Sequence, residues 1–411
     1  MVGNAFHLFS TFFCPQFFCL PPFRWEFAAL KTYESIVLGV GGVGSAALDH
    51  LARRGVRVLG LDRFPPGHDR GSSHGATRII RQAYFEHPDY VPLVLRAYDL
   101  WDELARRAGQ TLFEEVGLLQ IGPPGGDVVG GVLASAEAHR LEVDRLSAEQ
   151  ISGRWPGFRV PQALVGVYER RAGFLHVERC VAAHASRAVT AGAVLLTDCT
   201  IVSWQADGSG IVVRTDRETF RADALVICAG AWAGQLLTDV GVRFEVRRKP
   251  LFWFETLDMA YRKEHCPAFL YELPQGIFYG TPQLDADGVK VAEHSGGDVV
   301  ADPLDVERQV AENDLAPVEQ FVRECLPRAG KRLTRHSVCM YTMSPDAHFV
   351  VDRHPLHPQV VFVAGLSGHG FKFTPVLGEI IADLVIDGQT KQPIDFLRRS
   401  RFTQSISRQK N

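Results

Sequence analysis

Residues 35–61 read SIVLGVGGVGSAALDHLARRGVRVLGL, and this stretch decides the fold. A short apolar run stops at Gly39, and Gly39, Gly41 and Gly44 then follow G-x-G-x-x-G spacing. A helical pattern and a second apolar run come next, and that run ends on Asp62. This order predicts a strand–helix–strand unit whose glycine loop holds the phosphates of a dinucleotide, with Asp62 accepting a ribose hydroxyl. The alternative is a plain strand–helix turn that binds no ligand.

The composition is that of a globular protein large enough for two domains. The chain has 411 residues, of which 46% are hydrophobic and 22% charged, and its formal net charge is -3. This balance gives no electrostatic basis for binding nucleic acid or an anionic membrane surface. Eight scattered cysteines without a C-x-x-C pair argue against a disulfide scaffold and a structural zinc site. We therefore expect a cytoplasmic protein without a metal, and no apolar run is long enough to predict a membrane span.

Residues 1–30 contain eight Phe and are expected to lie outside the fold as an extension. A secretory signal would place basic residues before an uninterrupted apolar core. Here no Lys or Arg precedes Arg24, and Pro15 breaks the apolar run. Secretion is the minor alternative.

A loop rich in Gly and Pro, residues 63–81, follows the second apolar run and carries His74, Arg78 and Arg81. The two guanidinium groups are three residues apart, and Arg forks match the geometry of carboxylate and phosphate groups. One reading is an anion-binding loop, and the other is a solvated basic loop. The spacing leaves both open.

Apolar periodicity predicts helices over 89–108, 130–142, 177–191 and 314–326, with Pro317 in the first turn of the last one. Alternating strands at 251–255, 276–281 and 288–294 indicate a second domain built on an antiparallel sheet. Residues two apart in a strand share a face, so Lys290 and His294 point the same way. A buried lysine is costly, and an exposed Lys290 is therefore the default expectation.

The last part of the chain contains a strand and a glycine loop with chemistry-bearing side chains. The strand that starts near Arg335 places Cys339 and Tyr341 on one face. The loop 365–373 leads into a helix for which Thr374 is the expected N-cap and Pro375 the first helical residue. The positive end of that helix would suit a flavin pyrimidine ring, which becomes anionic on reduction. A loop that only turns the chain is the alternative.

Three motifs together resemble the monomeric sarcosine oxidase family of amine oxidases, which includes N-methyltryptophan oxidase and pipecolate oxidase. They are GSSHGATRIIR at 71–81, CMYT at 339–342 and GHGFKF at 368–373. The resemblance runs from about residue 34 to the C-terminus. It implies an α/β fold with a Rossmann-like FAD-binding domain of the glutathione-reductase type and an α+β substrate domain with a mixed sheet. The FAD-binding domain would comprise 31–113, 168–245 and 336–405, and the substrate domain 114–167 and 246–335.

The resemblance also implies roles for single residues. Arg81 and Lys372 would bind the substrate carboxylate, and Lys290 would promote the reaction of reduced flavin with oxygen. Arg78 would stabilise the anionic flavin ring, and FAD would be attached covalently through Cys339, whose ionisation Arg335 and His336 could assist. The substrate pocket would be lined by Tyr279, Tyr341 and His294. The remaining cofactor-binding residues would be Gly39, Gly41, Gly44, Asp62, Ser73, His74, Thr77, Gly368, His369 and Gly370, with Arg78 and Lys372 also near the flavin.

The implied activity is FAD-dependent oxidation of secondary amino acids, N-methylated or cyclic, to an imine and hydrogen peroxide. The partners would be a small amino acid and molecular oxygen, and the protein would be a monomer. Two positions depart from the family pattern: Ala76 stands where an acidic or polar residue is usual, and Glu293 where an aromatic residue is frequent. The alternatives are a dehydrogenase of the same fold with another electron acceptor and a flavin-binding protein without turnover.

Overall fold

The computed structural model describes residues 30–256 and 258–402. The expected Phe-rich extension therefore lies outside the described residues, apart from residue 30. In the part that is described, no helix is both long and apolar enough to cross a membrane.

The helices are α1 Gly42–Arg53, α2 Tyr90–Ala108, α3 Asp127–His139, α4 Ala148–Arg154, α5 Val177–Thr190, α6 Ala233–Leu236, α7 Glu312–Cys325 and α8 Thr374–Asp387. The strands of the first half are β1 Lys31–Leu38, β2 Val58–Leu61, β3 Thr77–Ile80, β4 Phe113–Glu114, β5 Leu118–Gly122, β6 Asp144–Ser147, β7 Val165–Glu169, β8 Gly173–His176, β9 Val194–Leu196 and β10 Ile201–Asp207. Those of the second half are β11 Gly210–Thr215, β12 Thr219–Ile227, β13 Glu245–Phe254, β14 Ala268–Leu273, β15 Gly276–Thr281, β16 Val289–Glu293, β17 Val299–Val300, β18 Leu333–Met343, β19 Val350–Arg353 and β20 Val360–Ala364.

The predicted strand–helix–strand unit forms the centre of a parallel sheet. β1 pairs in parallel with β2 on one side and with β12 on the other, β20 pairs in parallel with β12, and β9 pairs in parallel with β2. The antiparallel strands β10 and β11 extend the edge next to the first half of β12. This arrangement confirms the Rossmann-like expectation.

Alternate residues of the central strands supply two different cores. Val37, Val226 and Val361 face the helices α1, α2, α5 and α8, which cover one side of the sheet. Ile36 and Leu225 face the opposite side and pack with residues of β11 and the segment after α6. Because both faces are covered, the strands read as nearly continuous apolar runs.

Among the described residues the second large sheet has nine strands, with β13 paired to β16 and β17 along one edge and to β18 along the other. Most of its pairs are antiparallel, but β14 pairs in parallel with β5, so the sheet is mixed. One face packs on α7 through Phe252, Phe254 and Phe278. The other face carries Cys339 and Tyr279. Strand β18 crosses the domain boundary that was expected at residue 336. Strands β3, β8 and β4 form a separate small sheet, and in sequence each of them lies between strands of the two large sheets.

Three expected helix starts were wrong. Helix α3 begins at Asp127 and not near residue 130, because the Glu272 carboxylate accepts the first N–H groups of the helix. Helix α7 begins at Glu312, because the Asp314 carboxylate accepts the N–H of Ala311 at 2.8 Å and closes the first turn earlier. Pro317 therefore lies inside the helix. Thr374 is already the first residue of α8, because residues 371–373 form a 3₁₀ turn that runs directly into the helix. Pro375 is therefore the second residue of the helix and not the first, as was expected.

Candidate active site

A long cleft lies where the parallel strands end at their carboxyl termini. Gly39 follows β1, Asp62 follows β2, Ala229 follows β12 and Gly365 follows β20, and all four line the cleft. Its empty volume is about 1390 Å³. In open α/β sheets ligands bind at this edge. The cleft therefore lies where this class of fold binds a dinucleotide.

Two of the predicted glycines are required by close backbone approaches. Gly39 has a φ of 82°, and a Cβ atom there would lie 2.6 Å from the carbonyl oxygen of Cys228. A Cβ atom on Gly44 would lie 1.7 Å from the carbonyl oxygen of Gly39, so Gly44 lets α1 pack against the loop. Gly41 lines the cleft at the start of α1, where free N–H groups favour an anion.

Asp62 connects the second strand to the glycine loop. Its Oδ2 accepts the N–H of Val40 at 2.6 Å, and its Oδ1 accepts the N–H of Phe64 at 2.9 Å. Burial raises the pKa of this carboxyl group, and the two backbone N–H groups oppose that effect. Asp62 also lines the cleft, which is the position that contact with a ribose requires.

Three buried polar atoms in the cleft wall have no hydrogen-bond partner among the described residues. They are Nε1 of Trp232, Oγ1 of Thr342 and Oγ1 of Thr374, the last at the start of α8. Buried polar groups are almost always paired, so these atoms indicate a ligand with polar groups along its length. The dinucleotide FAD fits this set of donors and acceptors.

Cys339 lies behind the cleft wall next to a guanidinium group. Nη2 of Arg78 donates to its Sγ at 3.0 Å. Burial raises the pKa of the Cys339 thiol, but Arg78 and the neighbouring His74 outweigh burial and lower the pKa to about 6. The expected help from Arg335 was wrong, because Arg335 pairs with Asp287 at 3.1 Å. His336 is exposed on the opposite face of β18.

Lys290 is only 2% exposed, so the default expectation of an exposed side chain was wrong. Its Nζ donates to the carbonyl oxygens of Gly75 and Thr77 at 2.7 and 2.9 Å, and to Oγ1 of Thr77 at 3.3 Å. Burial, together with Arg78, lowers the pKa of Lys290 well below its ordinary value. The backbone that contains the predicted arginines therefore holds this ammonium group in place.

A smaller pocket opens from one end of the cleft, and the two cavities share Arg78, Tyr341, Gly368 and Phe371. All five residues that the family resemblance had assigned to the substrate line it together: Arg81, Tyr279, His294, Tyr341 and Lys372. The wall also contains residues that the sequence analysis did not select: Ile79, Phe85, Glu86, Leu270 and Phe371. Its empty volume is about 480 Å³.

Arg81 is held by a carboxylate that the sequence analysis missed. Its Nη2 donates to both carboxylate oxygens of Glu86, at 2.5 and 2.7 Å. Burial raises the pKa of Glu86, but Arg81 and other cations nearby outweigh burial and lower the pKa to about 2. Nε of Arg81 is buried and has no partner within the described residues. No regular spacing connects residues 81 and 86, so only the folded loop could reveal this pair.

Lys372 is a buried cation without a carboxylate partner among residues 30–256 and 258–402. Its Nζ donates to the carbonyl oxygen of His369 at 2.7 Å and to the hydroxyl of Tyr84 at 3.4 Å. Burial and Arg81 lower the pKa of Lys372 well below its ordinary value, and Glu86 opposes them. Within the described part of the chain, the pocket thus presents more basic groups than its one carboxylate, Glu86, can neutralise.

The two histidines of the pocket are neutral at ordinary pH. Burial lowers the pKa of His294 to about 3 and that of His369 to about 4. Nδ1 of His294 is 3.3 Å from the hydroxyl of Tyr341, and Nδ1 of His369 is 2.6 Å from that of Tyr84. His369, which was expected to contact the cofactor, lines the small pocket and not the cleft.

The other predicted cofactor residues fall into two groups. Ser73, Gly368 and Gly370 line the cleft. His74 and Thr77 are buried behind it, where Nδ1 of His74 is 3.4 Å from Ser337 and Thr77 bonds Thr281 at 3.1 Å.

The two departures from the family pattern have local partners. Ala76 has a φ of 66°, and its N–H donates to Oε1 of Glu178 at 3.1 Å. This carboxylate also accepts the N–H of Gly75 at 2.7 Å, so Glu178 supplies an acidic group to the loop. Glu293, the last residue of β16, accepts a hydrogen bond from the hydroxyl of Ser295 at 2.7 Å.

One group of metal-type side chains, Asp239, His354 and His357, lies at the opposite end of β20 from the cleft. Nδ1 of His354 accepts the N–H of Leu356 at 3.3 Å, which leaves the proton on Nε2 to be donated to Asp239 at 2.8 Å. In this tautomer Nε2 carries the proton and has no free lone pair for a metal ion. His354 and Asp239 are therefore read as a hydrogen-bonded pair.

Comparison with known proteins agrees with this geometry. Residues 34–384 match the family described as FAD dependent oxidoreductase. The chain belongs to this family. Monomeric sarcosine oxidase of Streptomyces avermitilis is 43% identical over 369 residues, which cover 88% of this chain and 96% of that protein. N-methyl-L-tryptophan oxidase of Escherichia coli is 38% identical, with 90% and 99% covered. These relatives confirm the resemblance found in the three motifs.

A solved structure is similar over nearly the whole described chain. The open form of NikD, an unusual amino acid oxidase essential for nikkomycin biosynthesis, is 26% identical with a TM-score of 0.79. The match covers 90% of this chain and 97% of that one. The α/β fold with an FAD-binding domain, expected from the sequence, is thereby confirmed.

Proposed function

We propose that this protein oxidises small secondary amino acids at a covalently attached FAD and transfers the electrons to oxygen. The observation that carries the proposal is the pocket beside the cleft, where Nε of Arg81 has no partner and Lys372 has no counterion within the described residues. An amino acid carboxylate would satisfy both groups, because charge-assisted bonds to Arg and Lys are the strong ones. The names of the sarcosine and N-methyltryptophan oxidases support the same substrate class.

The walls of the pocket suit a neutral amine above the end of the cleft. His294 and Tyr341 carry no charge at neutral pH, so they impose no electrostatic penalty on an uncharged amine. Tyr279, His294 and Tyr341 line the space together, and the ring centre of His294 lies 6.4 Å from that of Tyr279 and 5.6 Å from that of Tyr341. A substrate that displaces water from this space would interact more strongly with the two cations.

FAD bound in the cleft would accept a hydride equivalent from the carbon next to the amine nitrogen, and oxygen would reoxidise it with release of hydrogen peroxide. Arg78 lines both cavities and would place a positive charge beside the ring system. Lys290 would supply a second positive charge, fixed by its bonds to Gly75 and Thr77. Fixed charges of this kind stabilise developing negative charge without reorganisation.

The lowered pKa of the Cys339 thiol supports covalent attachment of the flavin at this residue. The thiolate is the nucleophilic form, and the lowered pKa of about 6 makes that form abundant at neutral pH. The test is acid precipitation of the purified protein. We expect flavin colour to stay with the precipitate and to be released from Cys339→Ala. Flavin in the supernatant of the unmodified protein would contradict attachment.

The substrate class is tested by flavin reduction without oxygen. Sarcosine, proline, pipecolate and N-methyltryptophan are each added to the holoenzyme, and glycine is the primary-amine control. We expect at least one of the four to bleach the flavin faster than glycine does. Bleaching by none of them would refute the proposed substrate class. The monomeric state and the cytoplasmic location stay predictions.

A further inference from the structure

The pairing of β13 with β18 places a second lysine on the active-site face of the mixed sheet. Lys249 lies directly opposite Cys339, and Arg247 lies opposite Tyr341. Side chains directly opposite each other in an antiparallel pair share a face, as do residues two apart in one strand. Lys249 therefore points to the same side as Cys339 and Tyr341, and it is only 3% exposed.

The ammonium group of Lys249 holds the turn that follows β16. Its Nζ donates to the carbonyl oxygen of Ser295 at 2.5 Å and to that of Gly296 at 3.4 Å. These two residues come immediately after His294, which lines the substrate pocket. The same Nζ lies 5.4 Å from the centre of the Tyr341 ring. One cation thus contacts both the turn that carries His294 and the ring of Tyr341.

These two walls are themselves connected, because Nδ1 of His294 is 3.3 Å from the hydroxyl of Tyr341. Within the described residues Lys249 forms no ion pair, although the Glu293 carboxylate lies close enough to oppose the loss of its charge. A buried ammonium group without a salt bridge is costly. Its retention behind the pocket indicates a function that an apolar residue would not supply.

We propose that Lys249 is a positioning residue that fixes His294 and Tyr341 against the substrate. The inference rests on the proposed function, because it assigns these two side chains to the substrate pocket. Lys249 does not touch the carboxylate-binding cations in the structure; it acts through the turn and the ring. Its loss should therefore weaken binding of a whole amino acid and leave binding of a bare carboxylate unchanged.

The experiment compares holoenzymes carrying Lys249→Met, Lys249→Arg and the control Lys263→Met. Lys263 is a half-exposed lysine that pairs with Glu114 at 3.1 Å. KM and kcat are measured with the best secondary amino acid, and acetate affinity is measured from the change in flavin absorption. For Lys249→Met we expect KM to rise about 10- to 100-fold, with a smaller change in kcat, since small displacements of positioning groups have effects of this size. Acetate affinity should change less than about twofold, and Lys249→Arg should recover part of the loss.

An unchanged KM in Lys249→Met would overturn the inference. A parallel loss of amino acid affinity, acetate affinity and thermal stability would also overturn it, because a general structural role would produce that result. If the unmodified enzyme oxidises no amino acid, the proposed function fails separately. Equilibrium binding of sarcosine or pipecolate, followed through flavin absorption, then takes the place of KM, and the same difference between Lys249→Met and Lys263→Met decides the inference.

Discussion

Replacing Lys372 by Met tests whether the small pocket binds a carboxylate. Lys372 is 4% exposed, and its Nζ is bonded only to the His369 carbonyl and the Tyr84 hydroxyl among the described residues. Met has a similar length and no charge. The substitution therefore removes the proposed partner of the substrate carboxylate while it leaves the apolar packing of the side chain in place.

We expect Lys372→Met to lose much of the affinity for the substrate carboxylate. Truncating one partner of a buried, hydrogen-bonded charge pair costs about 3 kcal/mol, which corresponds to roughly 150-fold in Kd. The stability of the folded protein, in contrast, should rise or stay the same in Lys372→Met. A lysine with a depressed pKa in the folded state lowers the free energy of unfolding at all pH values below that pKa, and the cost vanishes as the pH rises above its ordinary value. Lys372→Met removes this cost, so Tm should be unchanged or higher.

The same geometry predicts how binding depends on pH. Burial and Arg81 lower the pKa of Lys372 in the free protein, whereas a bound carboxylate favours the charged form and raises the pKa. Binding therefore takes up a proton at pH values between the pKa of the free protein and that of the complex. Affinity for acetate should fall as the pH rises through that range, by up to about tenfold per pH unit. This pH dependence should disappear in Lys372→Met.

The assay is a titration of the holoenzyme with acetate, followed by flavin absorption at several pH values, together with thermal unfolding. Lys263→Met serves as the control, because that lysine is half-exposed and lies outside both cavities. Equal acetate affinity in Lys372→Met and the unmodified protein would refute the assignment of Lys372. A large drop in Tm would show that the side chain supports the fold instead.

Three further substitutions test other parts of the site. Arg78→Met should raise the pKa of Cys339 from about 6, since the guanidinium group is the strongest of the influences that lower it. The fraction of protein that keeps flavin after acid denaturation should then fall, and an unchanged fraction would contradict the role of the guanidinium group. Ala76→Asn should raise the free energy of unfolding in urea by about 0.5–1 kcal/mol, because Asn tolerates a positive φ better than Ala; a lower value would show that the loop is not strained. Gly44→Ala should abolish FAD binding, because the added Cβ atom would overlap a carbonyl oxygen of the loop. The control Gly153→Ala, which has open space around it in the described structure, should bind FAD normally. FAD binding by both variants would contradict the packing argument.

The parts of the fold that depend on residues close together in the sequence were predictable from the sequence. Residues 35–61 contain strand, loop, helix and strand in one continuous stretch, and the structure reproduces all four. The motifs at 71–81, 339–342 and 368–373 carried the family resemblance. The clustering of Arg81 with Lys372 followed from that resemblance and not from spacing, because the two residues come from distant loops.

Contacts that depend on how distant elements meet were not predictable. Glu86 is the partner of Arg81 because of the conformation of the irregular loop between them, and no sequence pattern predicts that conformation. Lys249 gained its place behind Tyr341 from the register of β13 on β18, which no local pattern contains. Arg335 was expected to help Cys339, but its cross-strand neighbour Trp253 and the carboxylate of Asp287 hold it elsewhere.

The measurement that tests the central claim most directly is the simultaneous recording of oxygen consumption and hydrogen peroxide formation with the secondary amino acid that reduces the flavin fastest. We predict that one peroxide forms for each oxygen consumed, and that both rates fall together in Lys290→Met. Flavin that is reduced by the amino acid but fails to consume oxygen would contradict this prediction, and would identify a dehydrogenase that uses another electron acceptor.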